Sequence, residues 1–512
     1  MIDYASSPLS IIPPILALTL AIITRRVLLS LSIGIITGAV MLHMNEPFKA
    51  LSYIKDQVSS LVYSVEDGQF SLNWDTLNIL IFLILLGILT SLLSASGSNR
   101  AFVRWAEKRI KTRRGAKLLA ASLVFVTFID DYFHSLAVGA IARPVTDKFQ
   151  VSRAKLAYIL DSTAAPMCVI MPISSWGAYI ITLISGILTT YAITSYSPMG
   201  AFLTMSSMNF YAIFSLLLVF VVAYASIDIG TMAEHEYRAK ARAFVDPEAG
   251  SMVQGHVRNL VLPIMTLIFA TIAMMMFTGY KALSADNLPF SILGAFENTT
   301  VGVSLVFGGS LAVLVISALI VMDRSLTSQK FVHTCLTGIQ SMMGAILILC
   351  FAWTINNTVS DMKTGTYLAS LLSDTLSPKL LPALLFLLGT AMAFSTGTSW
   401  GTFGIMLPIA AAIAGQNAPE LMIPCLSAVM AGAVCGDHCS PVSDTTILSS
   451  TGAQCNHIDH VTTQLPYAIL VAVASFIGYL ALGFTQSGLA GFITTGITLA
   501  ALVFVLKKPQ LA

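Results

Sequence analysis

The chain has 512 residues, of which 56% are hydrophobic and only 10% are charged, and its mean hydropathy is +0.82. Soluble domains carry about 25% charged residues, so this composition excludes a protein whose whole surface faces water. The net charge is only +2, so the positions of the charges along the chain are more informative than their sum.

Apolar segments recur along the chain at lengths near 20 residues, enough for a helix to cross about 30 Å of hydrocarbon. Clear examples are Ile79 to Leu93, Tyr211 to Ser226, Asn259 to Gly279 and Thr300 to Met322. Strands of a membrane β-barrel would alternate apolar and polar residues, which these segments do not do. The seven cysteines are scattered and show no framework spacing, which argues against structural disulfides. An α-helical membrane protein is predicted.

The lysines and arginines indicate which connecting segments face the cytoplasm. Two strongly basic segments, Arg100 to Lys117 and Arg143 to Lys155, are separated by the single apolar stretch Leu118 to Ala142. If both basic segments are cytoplasmic, the stretch at residues 118–142 must be a re-entrant hairpin. A plain span with one loop that breaks the rule is the alternative. The same bias accounts for the basic charge without a nucleic-acid partner.

The second half of the chain repeats this pattern. A second hairpin is predicted at residues 381–412, with a Gly-, Ser- and Thr-rich tip from Phe394 to Thr402. Each hairpin precedes an apolar segment interrupted by proline and polar residues, and these two broken helices are predicted at residues 154–190 and 421–450. An odd number of crossings in the first half inverts the second half, so the second hairpin should enter from outside.

The prediction is therefore an all-α polytopic membrane protein with about 11 transmembrane helices and two re-entrant hairpins in an inverted-topology repeat. The predicted divisions are a first repeat at residues 1–230, a cytoplasmic linker at 231–258, a second repeat at 259–484, and a last span with a basic tail at 485–512. The N-terminus is expected outside and the C-terminus, with Lys507 and Lys508, in the cytoplasm. Inverted repeats with interrupted helices are typical of secondary transporters, whose sites lie near the bilayer midplane.

Five aspartates fall inside the predicted membrane segments, where a charge is costly unless it faces a cavity or a partner. They are Asp130, Asp131, Asp161, Asp437 and Asp444. A small alkali cation prefers oxygen ligands, which carboxylates, hydroxyls and unwound carbonyls supply. A partly desolvated carboxylate can hold a proton or a metal cation but not both. We therefore predict Na+ binding and exchange at Asp161, Asp437 and Asp444. The alternative for some aspartates, above all Asp131, is a position near a segment end in water.

Other polar residues at the hairpin tips and helix breaks are candidate ligands of an ion or substrate. They are Ser174, Ser175, Thr396, Ser399, Ser440, Ser443 and Thr445. His134 and His438 are candidate proton relays near neutral pH, with a structural hydrogen-bonded histidine as an equal alternative. Trp176 and Trp400 are candidate pocket residues or plain apolar fillers. The Cys435 to Cys439 spacing does not match a zinc site, so neither a transition metal nor a cofactor is predicted.

Three motifs resemble those of the NhaC family of sodium/proton antiporters, in the ion transporter superfamily, whose members also use paired hairpins. The motifs are Phe128 to Tyr132, Asp161 to Pro166 and Gly436 to Thr445, and the resemblance extends over about residues 75–469. It implies Na+/H+ exchange across the bacterial inner membrane. It also implies ion-site roles at the matching positions Asp130, Asp131, Asp161, Asp437, Ser440, Ser443, Asp444 and Thr445.

The main alternative is a Na+- or H+-coupled transporter of a small organic acid or amino acid on the same fold, because NhaC-like proteins include such carriers. The helix starts beside Ser174 and Ser399 could receive a substrate carboxylate. An enzyme is not predicted, because an intramembrane aspartyl protease would need glycine at the position of Val434. The predicted partners are membrane lipids, Na+, H+ and, in the alternative, that organic solute. Whether the protein forms a homodimer is left open by the sequence.

The hairpin at residues 118–142 is tested by labelling single cysteines placed at its flanks. Cysteines at Lys117 and Lys148 should react with an impermeant reagent from the same side of the membrane, because a hairpin returns the chain to its side of entry. Labelling of the two positions from opposite sides would show that the stretch spans the membrane.

Overall fold

The structure is a computed structural model that describes every residue except 1, 25, 45, 67–68, 129, 173, 242–254, 286, 365–366, 368–376, 418 and 507–512. The predicted cytoplasmic tail with Lys507 and Lys508 and most of the second half of the predicted linker lie outside the described residues. Of Ser175, only the backbone is described.

The first half of the chain is helical apart from one β-ribbon that the sequence did not predict. The ribbon pairs strands Tyr63–Glu66 and Gln69–Leu72 antiparallel, with Tyr63 opposite Leu72. A 3-10 helix, Pro8–Ile11, comes first. The α-helices are Ile12–Thr24, Val27–Leu42, Pro47–Ser60, Trp74–Ala95, Ser98–Glu107, Arg113–Ser122, Val124–Thr127, Asp131–Lys148, Arg153–Ile170, Ser175–Thr190, Pro198–Ser207, Phe210–Ala225 and Thr231–Ala241.

The second half contains longer helices and two short 3-10 turns, Pro378–Leu380 and Pro419–Leu421. Its α-helices are Arg258–Ala285, Ile292–Glu297, Val301–Met322, Ser328–Asp361, Leu381–Thr396, Ser399–Asn417, Met422–Cys439, Asp444–Gly452, His457–Thr485 and Gly488–Leu506. Many helices start at a Ser, Thr or Asn whose side chain accepts a hydrogen bond from a backbone N–H of the first turn, as Asn456 does for Asp459.

The all-α polytopic membrane fold is confirmed. Within the described residues, eight helices are long and apolar enough to cross a membrane, or nine if the bent pair Pro198–Ser207 and Phe210–Ala225 forms one span. Shorter apolar helices include Leu28–Leu42 and Ser399–Gly415. The number of about 11 crossings, the re-entrant course of the hairpins and the inverted repeat stay predictions.

Two pairs of helices correspond to the predicted hairpins. In the first pair, one arm consists of the consecutive helices Arg113–Ser122 and Val124–Thr127, which pack against the other arm, Asp131–Lys148. In the second, Leu381–Thr396 and Ser399–Asn417 meet at Gly397, whose φ is +69°. A side chain at Gly397 would lie 2.6 Å from the carbonyl oxygen of Val442, so only glycine fits this turn. In the first pair Lys117 is only 1% exposed. The exposed Lys111 is therefore the better labelling position.

Each predicted broken helix contains two helices separated by a few residues. Arg153–Ile170 is followed by Ser175–Thr190, and Ser174 caps the second of these by accepting a hydrogen bond from Gly177 N at 2.8 Å. Met422–Cys439 is followed by Asp444–Gly452. Ser443 caps this second helix by accepting a hydrogen bond from Thr446 N at 3.3 Å. The interruptions leave backbone groups without helical partners inside the protein, which membrane proteins tolerate beside a polar cavity.

The predicted linker begins with the helix Thr231–Ala241, which is fixed to the first hairpin and to the first broken helix. Glu236 is only 2% exposed and accepts hydrogen bonds from Arg113 Nη2 at 2.8 Å and from Ser152 N at 2.7 Å. The buried carboxylate thereby joins three segments that are distant in sequence.

Glycines let the second hairpin and the second broken helix pack at backbone contact. A Cβ at Gly432 would lie 2.2 Å from the carbonyl oxygen of Phe386, and a Cβ at Gly436 would lie 2.2 Å from that of Thr390. Small residues serve the same purpose in other membrane helix pairs. The ion-site candidate Asp437 is adjacent to this contact, so the contact fixes its position relative to the hairpin tip.

Replacement of Gly436 by alanine should separate these two helices. We expect a loss of about 1–3 kcal/mol of stability, because the added methyl overlaps backbone atoms that cannot rotate away. The melting temperature of the purified protein in detergent measures this loss. The matched control is Gly344→Ala, since a Cβ there meets nothing within 4 Å. Equal melting temperatures for the two variants would contradict the packing argument.

Candidate functional site

Asp161 lies at the centre of a buried hydrogen-bond network. It is only 1% exposed and lies in the helix Arg153–Ile170. Its carboxylate accepts hydrogen bonds from Thr446 Oγ1 at 3.1 Å, Ser449 Oγ at 3.4 Å and Gln464 Nε2 at 2.6 Å. Its Oδ2 is also 3.2 Å from His460 Nε2, an ion pair when the imidazole is protonated. The network joins three helices around one carboxylate.

Two members of this network lie in the helix His457–Thr485 and were not predicted from the sequence. His460 and Gln464 are both buried and are four residues apart, so they lie on one face of that helix. Tyr467 continues the same face three residues later and donates a hydrogen bond to Ile227 O at 3.0 Å. A polar stripe at helical spacing inside an apolar segment was the signal that could have identified them.

His438 is held by hydrogen bonds on both ring nitrogens. Its Nε2 is 2.8 Å from Ser162 Oγ, and its Nδ1 is 2.8 Å from Tyr211 Oη. Its carbonyl oxygen accepts from Gln464 Nε2 at 2.7 Å, so Gln464 bridges Asp161 and the end of the helix Met422–Cys439. His438 is therefore connected to the network of Asp161.

Asp437 contacts the tip of the second hairpin. Its Oδ2 accepts hydrogen bonds from Ser399 Oγ at 2.7 Å and from Ser399 N at 3.1 Å. Asp437 is only 1% exposed, yet within the described part of the chain its Oδ1 has no hydrogen-bond partner. Ser443 lies beside the same carboxylate, and Asp161 and Asp444 are within electrostatic range. A buried carboxylate oxygen without a donor costs free energy, on the order of 1–3 kcal/mol or more.

Asp130, Asp131 and Asp444 line a cavity of about 710 Å³, together with Tyr132 and the hairpin tip at Thr396. Tyr132 Oη donates a hydrogen bond to Asp444, and Thr445 N donates to it at 2.8 Å. Trp176 Nε1 donates to Asp131 Oδ1 at 3.0 Å. Asp130 caps the helix Asp131–Lys148 through Phe133 N at 2.9 Å. The first hairpin and the second broken helix thus meet at this cavity.

The remaining candidate residues have mainly structural contacts. Ser174 Oγ donates to Cys168 O at 2.7 Å, and Ser440 Oγ donates to Phe394 O at 2.8 Å. Ser443 and Thr445 share a hydrogen bond of 2.9 Å between their hydroxyls. His134 is buried between two hydroxyls, Thr127 Oγ1 at 2.6 Å and Thr163 Oγ1 at 2.8 Å. His134 therefore contacts neither of its sequence neighbours Asp130 and Asp131 through these bonds.

The structure thus gives the three predicted Na+ ligands different surroundings. Asp161 is surrounded by donors, Asp437 has one satisfied and one unpaired oxygen, and Asp444 faces the cavity. They are connected through the short helix Asp444–Gly452, which begins at Asp444 and supplies Thr446 and Ser449 to Asp161. This arrangement can couple a ligand in the cavity to a cation or proton at the interior carboxylates.

Comparison with known families and proteins places this arrangement in context. The family model described as "Na+/H+ antiporter family" matches residues 167–484, more than half of the chain. A protein of Haemophilus influenzae is 64% identical over 508 residues, which cover 99% of this chain and 97% of that protein, and it carries no functional name.

Two antiporters match over shorter stretches. An arginine/ornithine antiporter of Halobacterium salinarum is 30% identical over 142 residues, or 28% of this chain and 29% of that protein. A malate-2H+/Na+-lactate antiporter of Bacillus subtilis is 30% identical over 160 residues, or 30% of this chain and 32% of that protein.

Replacement of Gln464, which bridges two buried acceptors, should destabilise the protein by a measurable amount. Gln464→Met keeps the approximate shape but removes the donor shared by Asp161 and the His438 carbonyl. We expect a loss of about 1–3 kcal/mol, because buried acceptors lose their partner. Thermal melting in detergent provides the measurement. Thr485→Val is the control, since that exposed hydroxyl has only local contacts among the described residues: it donates to Ala481 O and accepts from Ser487 N. A melting temperature equal to that of the control would show that the bridge contributes nothing.

Proposed function

The chain belongs to the Na+/H+ antiporter family, and from this premise we propose that it exchanges Na+ for H+ at the buried carboxylate of Asp437. It is a secondary transporter and a multi-pass membrane protein, not an enzyme. The finer assignments to the NhaC type and to the bacterial inner membrane, with the N-terminus outside and the C-terminus in the cytoplasm, are part of the proposal. They are supported by the motifs and by the distribution of basic residues.

The unpaired Oδ1 of Asp437 is the observation that carries the proposal. A carboxylate buried from water is far more stable with a proton or a metal cation than as a bare anion. Because its Oδ2 is held by Ser399 from the hairpin tip, the free Oδ1 has a fixed position. One oxygen that alternately takes Na+ and H+ is the minimal device for exchange.

The surroundings of Asp437 supply further oxygen ligands of the kind that Na+ prefers. Ser399 contributes a hydroxyl, and Ser443 lies beside the carboxylate at the helix break. The interruption at residues 440–443 leaves main-chain carbonyls outside a helical ladder. Hard cations are bound by such mixtures of carboxylate, hydroxyl and carbonyl oxygens.

Asp161 has a supporting role in this mechanism. Hydroxyl and amide donors surround its carboxylate and hold it in a fixed position near the exchange site. His460 completes the site, and in the described residues its Nδ1 has no hydrogen-bond partner.

An organic substrate is the second candidate function, and the cavity beside Asp131 favours it. Its volume of about 710 Å³ is that of a small-molecule site rather than of a Na+ site. Two of the relatives are named as antiporters of amino acids or organic acids. In this second candidate function, the carboxylate of Asp437 binds the coupling ion and the cavity binds the organic solute.

The variant Asp437→Asn tests the exchange site. The amide keeps the shape of the side chain but cannot bind Na+ and H+ in alternation, so Na+-driven collapse of an imposed pH gradient should be abolished in proteoliposomes. Asp56→Asn is the control, because Asp56 is an exposed acid on the helix Pro47–Ser60. Melting temperatures of both variants verify that they are folded.

In the wild-type protein, Na+ alone should collapse the pH gradient, and its apparent KM should fall as pH rises until protons no longer compete. Wild-type exchange by Asp437→Asn between pH 6 and 9 would exclude Asp437 as the exchange site. A gradient that collapses only after an amino acid or dicarboxylic acid is added would instead favour the second candidate function.

A further inference from the structure

We propose that the cavity beside Asp131 binds an organic cation, a solute with an ammonium or guanidinium group, and that this solute is exchanged against the inorganic cation. The cavity lies between the first hairpin, the start of the helix Val301–Met322 and the tip of the second hairpin. The proposal rests on the exchange at Asp437 for its driving ion.

The charge of the cavity favours a cation. Its lining residues include Asp130, Asp131 and Asp444 but, in the part of the chain that the structure describes, no Lys, Arg or His. Asp131 is only 3% exposed, and its Oδ2 has no hydrogen-bond partner among the described residues. A purely anionic solute would meet like charges in a region of low dielectric constant, where their repulsion is strong. An ammonium or guanidinium group supplies the donor that Asp131 Oδ2 lacks.

Aromatic rings form part of the cavity wall and suit the same kind of solute. Trp353, Trp400 and Tyr132 all line the cavity. Trp400 is held in place by stacking on Tyr179, with ring centroids 4.6 Å apart and an interplanar angle of 16°. Cations bind to the faces of such rings, and the attraction is strongest when water is excluded.

The volume excludes a site built only for a metal ion. Oxygen ligands surround a Na+-sized cation at about 2.3–2.6 Å, whereas about 710 Å³ is within the range of small-molecule sites. Thr300, Val301 and Gly302, at the start of the helix Val301–Met322, line the same cavity, and Thr300 makes no side-chain cap. The first N–H groups of that helix can therefore receive a carboxylate if the organic cation is an amino acid.

A direct structural path connects the cavity to the exchange site. Asp444 faces the cavity, and it begins the helix whose Thr446 and Ser449 hold Asp161. On the other side of the cavity, the hairpin tip from Thr396 to Gly401 contains Ser399, which holds Asp437. A cation that attracts Asp444 or displaces the tip changes the stability of an ion at Asp437, which is the coupling that antiport needs.

The test uses the full-length protein in nanodiscs for binding and in proteoliposomes for uptake. The probes are radiolabelled L-lysine, L-arginine, putrescine, L-leucine and succinate. We expect binding of at least one of the three cations and none of leucine or succinate. Binding of putrescine as well as lysine would indicate that the cationic group is sufficient, and binding of the amino acids alone would indicate that the helix start also receives their carboxylate. Both results support the proposal.

Substitutions at Trp353 and at Asp131 test the cavity, and a third variant is the control. Trp353→Leu should weaken binding of the cationic probe by about 5- to 30-fold, because the aromatic face is lost. The matched control is Trp74→Leu, which should have no effect, since Trp74 is 57% exposed and lies outside the cavity. Na+-driven pH-gradient collapse should persist in the Trp74→Leu control. Asp131→Asn should abolish binding of the probe, and a melting curve shows that each variant is folded.

The outcomes distinguish this proposal from the proposed sodium exchange. Normal Na+/H+ exchange without binding of any cationic probe to the wild-type protein overturns the organic-cation site alone. Binding of succinate or leucine in place of the cations also overturns it. Uptake of lysine, arginine or putrescine without Na+-driven pH-gradient collapse supports the organic-cation site and overturns the sodium exchange.

Discussion

The hydrogen bonds that surround Asp161 are the interaction on which the rest of the site depends. They tie the helix Arg153–Ile170 to Asp444–Gly452 and to His457–Thr485. A buried carboxylate without such donors would destabilise the protein by several kcal/mol. With them, Asp161 fixes the position of the short helix Asp444–Gly452, whose first residue faces the cavity. In our proposals, the same network both stabilises the fold and connects two chemically different sites.

Interrupted helices give this protein its polar interior. The break before Asp444 brings Ser443 close to Asp437, and the turn at Gly397 brings Ser399 to the same carboxylate. Continuous helices would keep these backbone groups paired within each helix and would leave the aspartates without ligands. The glycines at 432 and 436 allow the two segments to approach at backbone distance. Close packing and the ion-site candidate are thus consequences of the same local sequence.

In our proposals, two unpaired carboxylate oxygens bind two different cations, one inorganic and one organic. Asp437 Oδ1 is buried, and the other oxygen of the same carboxylate is bonded to Ser399, which suits an ion without its water shell. Asp131 Oδ2 belongs to a residue that lines a larger cavity with aromatic walls. Because both groups contact segments that meet at the second hairpin tip, binding at one is expected to alter binding at the other.

The sequence by itself determined the membrane class and the helical fold, and it predicted which aspartates lie inside the membrane segments. Composition and apolar length are local properties, and a buried charge is conspicuous in an apolar segment. Only the tertiary structure decided the partners of each carboxylate. His460 and Gln464 lie about 300 residues from Asp161 in the chain, with separations of 299 and 303, and no local pattern encodes that contact. It also gave Asp437 and Asp444, two of the three predicted Na+ ligands, different partners, because the helix break between them directs one side chain to Ser399 and the other to Tyr132.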